Sequence, residues 1–126
     1  MKNFYLVLSI LVLMISCKKG TTEPVCTPPA TVSFSKDIQP IFNANCNTSG
    51  CHSGTKPAGN LNLESNQAYA NLMDSKSGYI DTTKPENSIL YVAMTSKTNP
   101  MPPNGKLDKC TTERILQWIE QKAKNN

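Results

Sequence analysis

The 126-residue chain has one histidine, His52, one arginine, Arg114, and one tryptophan, Trp118. A single histidine with no serine and acid partnered to it leaves no Ser-His-Asp set, and no pair of carboxylates stands at a spacing that suggests acid–base work. Basic residues are scattered, with no Lys/Arg stripe and no recognition module, so nucleic acid is excluded as a partner. No stretch alternates as a β-strand would, which leaves helices and loops. The longest apolar run, Phe4 to Ile15, is twelve residues, too short to cross a bilayer comfortably as a mature helix.

That run has the length of a signal-peptide core, with Lys2 ahead of it. It ends in "MISC", where Ser16 precedes Cys17. The arrangement resembles the lipobox of bacterial lipoproteins, with Met14 where leucine is usual. The resemblance implies cleavage after residue 16, lipid on Cys17 and export to a bacterial membrane. An ordinary secretory signal cut nearby is the alternative. "CKKG" carries no acidic run, which points to a periplasm-facing protein. Loss of residues 1–16 removes Lys2 and lowers the net charge from +4 to +3.

Residues 20–33, "GTTEPVCTPPATVS", are rich in Thr and Pro and too poor in aliphatic residues to fold alone. They read as a tether reaching roughly 40 Å at about 3 Å per residue. The expected organisation is a signal peptide at 1–16, a lipidated cysteine and tether at 17–33, and one domain at 34–126. A domain of that size gains much from a staple or a buried cofactor.

There are five cysteines, at 17, 26, 46, 51 and 110. An odd number in an exported chain calls for an explanation, and lipid on Cys17 leaves four. Cys26 and Cys110 are a reasonable disulfide pair, although sequence does not fix connectivity.

The other two stand in "CNTSGCH", with His52 directly after Cys51. A disulfide, a metal site and a covalent haem all use these residue types. Zinc held by Cys46, Cys51, His52 and Cys110 is disfavoured, because adjacent residues rarely both reach one tetrahedral ion. Haem c attachment requires the adjacency: two thiols add to the vinyl groups, and the histidine after the second ligates iron. Four residues separate the cysteines here in place of two. The small "NTSG" insert, with Gly50, lets that loop bulge.

One histidine excludes bis-histidine ligation within the chain. A sulfur ligand is available at Met101, held between Pro100 and Pro102-Pro103 on a restricted backbone. Met94 in "SILYVAM" and Met73 in "YANLMD" read instead as core filler.

"FSKDIQPIFNANCNTSGCHSG", "GNLNLES", "KPENSILYVAM", "NPMPP" and "ERILQWIEQKAKNN" together resemble small cytochrome c domains of the planctomycete-type group, which also occur in lipoproteins of Bacteroidetes-like bacteria. The resemblance spans residues 34–126. It implies an all-α, monohaem cytochrome c-like domain, three to five short helices around one covalent haem c. Cys46 and Cys51 would carry it, with His52 as proximal and Met101 as distal iron ligand. The function implied is one-electron transfer to redox partners that the sequence does not name. Lys56, Lys97 and Lys106 flank the two motifs as a possible basic docking rim. The rivals are a non-haem interaction lipoprotein stapled by Cys46–Cys51, and a haem enzyme or gas binder with open iron.

The expected helices cover "SKDIQPIFNANC", capped by Ser35, then "SNQAYANLMD" and "KPENSILYVAM", and a last one from Thr111 or Thr112. Ile38, Ile41 and Phe42 form the buried face of the first; Ile115, Trp118 and Ile119 form that of the last. Phe42 and Trp118 could pack where these helices cross, and plain core filling accounts for each equally well.

Overall fold

A computed structural model describes residues 25–126. The signal peptide, Cys17 and the first part of the tether lie outside the described residues. Ser33, and not the expected Ser35, opens the first helical segment: its Oγ accepts from the Lys36 amide at 3.3 Å. In return, the Asp37 carboxylate accepts from the Ser33 amide at 2.8 Å. This reciprocal cap satisfies groups that a bare helix start leaves unpaired. Phe34–Ile38 form a wide π-type turn, and α1 follows as Gln39–Asn45 with Pro40 in its first turn. Pro40 has no N–H to give the carbonyl four residues back, which suits the wider winding before it.

The remaining helices are α2 (Ala68–Leu72), α3 (Ile89–Thr95) and α4 (Lys109–Glu120), with single 3₁₀ turns at Ala58–Asn60 and Pro85–Asn87. Among the described residues there is no strand, so the fold is helical, in line with the all-α expectation. The expected helix "KPENSILYVAM" is split at Ser88, whose ψ of 127° is extended. Ser88 is fully buried, and its hydroxyl accepts from the Asp81 amide at 2.9 Å. A side chain bonding to a distant backbone competes with the helix ladder, and here the competition is won at one residue.

The last helix begins before the expected threonines. Asp108 is its cap, the carboxylate accepting from the Thr111 amide at 3.0 Å. Ile115, Trp118 and Ile119 are all fully buried. They meet Ile38, Phe42, Leu63 and Leu72 in one core. Phe42 and Trp118 are bridged by Phe34, whose ring centre is 6.4 Å from the first and 5.3 Å from the second. Tyr69 completes this aromatic group, 5.2 Å from Phe34 and edge-on to it. Ile41 is only partly buried. Met94 is in the core at 4 % exposure, but Met73, expected beside it as filler, is on the surface at 36 %. It is the C-cap of the five-residue α2, where that short helix ends against solvent.

Part of the expected tether is packed structure. Cys26 is disulfide-bonded to Cys110 across a sequence separation of 84. Gln117 on α4 and Gln121, its C-cap, donate to the carbonyls of Pro29 and Ala30 at 3.0 Å each. The Val32 amide donates to the Gln121 side chain at 2.9 Å, and the Val32 side chain is buried in the core. Residues 26–32 therefore run as a strap along α4, parallel to it. Thr and Pro content hides this, because main-chain carbonyls, which every residue has, make most of the contacts.

Candidate functional site

Cys46 caps the C-terminal end of α1, and the chain then folds back on itself. The Cys51 amide donates to the Thr48 carbonyl at 2.9 Å, and the His52 amide donates to the Cys46 carbonyl at 3.2 Å. These two bonds close the insert "NTSG" into a compact bulge. Gly50 makes it possible: its φ of +81° lies in the left-handed region, where a side chain would be strained even though nothing crowds the position. Cys46, Cys51 and His52 are thus brought together.

Both thiols are unbridged and partly buried. Burial first, and the neighbouring Cys51 second, push the Cys46 thiol up to about 11. Each cause disfavours the thiolate.

His52 is fixed from one side. Its Nδ1 lies 3.1 Å from the Leu61 carbonyl oxygen. A carbonyl can only accept, so Nδ1 carries the proton and Nε2 keeps its lone pair for a metal. The main chain is gripped as well, since the Leu63 amide donates to the His52 carbonyl at 2.8 Å. The segment Leu61–Leu63 is in effect a shelf under His52, with both leucines buried.

Three amide side chains hold that shelf. Gln39 on α1 donates to the Leu63 carbonyl at 3.0 Å. Asn71 on α2 accepts from the Asn62 amide at 3.0 Å. Asn62 itself, only 4 % exposed, donates to the Gly54 carbonyl at 3.0 Å and to the Glu64 carboxylate at 2.9 Å. Sequence reasoning missed all three. The alternation in "NLNL" implies a polar residue facing water between two buried leucines, and Asn62 is buried instead.

Met101 is held elsewhere. Its amide donates to the Ala93 carbonyl at 2.9 Å, tying the proline-rich loop to the end of α3. Its side chain is 43 % exposed. On α3, Ile89 and Val92 share one face and are also exposed, at 49 % and 52 %. Three large apolar side chains left to water on one helix and its adjoining loop mark a surface suited to an apolar partner.

The donor set distinguishes the candidate groups. Cys110 is committed to Cys26, which removes it from the four-ligand zinc set. Among the described residues, no three His, Cys, Asp or Glu side chains gather as a metal cage. Two free thiols, an adjacent histidine with Nε2 available and an apolar surface on α3 do fit a covalently held macrocycle with one protein nitrogen on its metal.

Comparison with known proteins agrees with that chemistry. Residues 49–105 match the model of the family described as Planctomycete cytochrome C. The match supports a cytochrome c-like domain, and with it haem c as cofactor and electron carriage in preference to catalysis. It takes in Cys51, His52 and Met101, while Cys46 stands just before it. No curated protein and no solved structure matches the chain.

Proposed function

We propose that this protein is an exported, lipid-anchored c-type cytochrome that passes single electrons between partners. Cys46 and Cys51 hold one haem c by thioether bonds, His52 ligates its iron from the proximal side and Met101 from the distal side. The observation that carries this reading is the His52 ring, pinned by Leu61 with Nε2 left for a metal, beside two unbridged thiols. The haem, when bound, supplies a one-electron couple. The chain's own part is to fix the proximal nitrogen, hold the two thiols beside it and keep Met101 on a loop tied to α3. With His52 and Met101 both as ligands, no site would remain for a substrate, and sulfur ligation would raise the potential relative to a second nitrogen. Lipid on Cys17 anchors the domain, which faces the periplasm.

Visible absorption of mature protein, made in a host that attaches haem to cytochromes c, tests this reading together with a haem-stained denaturing gel. Haem that stays with the denatured chain is the expected result, along with a sulfur-to-iron band in the oxidised protein that Met101→Ala removes. A band that survives Met101→Ala moves the distal ligand elsewhere. A colourless folded protein favours the second reading, a disulfide-stapled interaction lipoprotein. The Cys26–Cys110 bridge and the apolar face of α3 suit that reading too.

A further inference from the structure

Around His52 the main chain makes a closed turn. The Ala58 amide donates to the Cys51 carbonyl at 2.7 Å, so residues 51–58 form a loop with Gly54 inside it. The only described side chain reaching the Gly54 carbonyl is that of Asn62. The same side chain closes a ring with Glu64: its Oδ1 accepts from the Glu64 amide at 2.8 Å while its Nδ2 donates to the Glu64 carboxylate. Both ends of the amide are thus engaged, with one bond to the loop and two to Glu64 at the end of the shelf. Buried amides satisfied in this way are rigid, because each lost bond leaves a polar group unpaired.

We propose that Asn62 is a positioning residue for His52: its amide clamps the Gly54 turn to the Leu61–Leu63 shelf, and that clamp sets the hydrogen bond from His52 Nδ1 to Leu61. The inference rests on the proposed haem ligation by His52. The Nδ1 bond makes the ring a better electron donor through Nε2, which favours the oxidised metal. Asn62 thereby holds the reduction potential down without touching the cofactor. Gln39 and Asn71 support the same shelf from two helices, so three neutral amides hold the segment on which His52 rests.

The test compares Asn62→Ala, Asn62→Asp and the core variant Ile119→Val with wild type, in the full mature chain as isolated. Asp keeps the acceptor for the Glu64 amide but loses the donor to Gly54, so it should behave as Ala does. Two quantities are read: amide hydrogen exchange at His52 and Leu63, and the oxidised-to-reduced ratio at a fixed ambient potential. Both Asn62 variants should speed exchange at these two amides. They should also lower the ratio by about three- to tenfold, tenfold being 59 mV for one electron. Ile119→Val should lower the melting temperature and move neither quantity. Should both Asn62 variants fail to fold, Asn71→Leu takes their place, with Asn71→Asp, which keeps the acceptor, as its rescue. Wild-type values in Asn62→Ala, or equal shifts in Ile119→Val, overturn the proposal. If the wild type is isolated without haem, the function reading fails, and exchange at Leu63 alone decides whether Asn62 clamps the shelf.

Discussion

Asp108 and Cys46 show how much a single side chain decides in so small a domain. The Thr111 hydroxyl, and after it the Thr111 amide, donate to the Asp108 carboxylate and hold its pKa below the ordinary value of 3.8. A carboxyl lowered by folding contributes above its unfolded pKa and loses that contribution as pH falls through its folded one. Asp108→Ala should therefore cost about 1 kcal/mol at pH 5 to 8, and the difference from wild type should narrow below about pH 4. Urea titrations at several pH values measure both. Cys46 makes the opposite case. With its thiol pushed up to about 11, alkylation at Cys46 in folded protein lacking haem should stay slow at pH 8 and accelerate only in strong alkali, as mass spectrometry of a pH series would show. The grouping of Cys46, Cys51 and His52 was readable because the chemistry proposed for it demands adjacency in sequence. Asn62, Gln39 and Asn71 were not, since an amide declares nothing about its target until the fold supplies the carbonyl it reaches.

Among the elements, α4 was the most legible and its surroundings the least. Ile115, Trp118 and Ile119 recur at helical spacing, so the buried face follows from periodicity alone. The boundary moved because Asp108, four residues ahead of Thr112, offered an acceptor in the right geometry. α3 was predicted too long because Ser88 passes as a helix residue until its partner at Asp81 is known. Ile115→Ala should cost roughly 2–5 kcal/mol, since a fully buried side chain leaves a cavity that its neighbours fill only in part. At about 4–8 °C per kcal/mol the melting temperature should fall by at least about 8 °C. A smaller loss would mean that the strap and α1 collapse into the space, visible as retained heat capacity of unfolding.

The whole molecule depends on contacts between distant parts of the chain, and these are what sequence patterns register least. Cys26 and Cys110 close nearly the entire domain into one loop, separated by 84 positions. In the loop-entropy view such a bridge contributes roughly 4–5 kcal/mol by restricting the unfolded chain. Cys26→Ser with Cys110→Ser should lower the melting temperature by on the order of 20 °C. It should leave any haem spectrum unchanged, because neither sulfur belongs to the proposed attachment loop at Cys46 to His52. Unchanged melting would show that the unfolded ensemble was already held by other contacts.

The strap has a consequence for motion over a membrane. If Cys17 bears the anchor, the leash is only the eight residues between it and Cys26, because the chain from Cys26 onward is fastened to α4. Its reach is then about 25 Å, where the sixteen residues between Cys17 and Phe34 would reach about 50 Å if all were free. The patch of membrane swept around a fixed anchor scales as the square of that radius and would shrink to roughly a quarter. A carrier tied so closely would meet partners by diffusing with its lipid, more than by swinging from it.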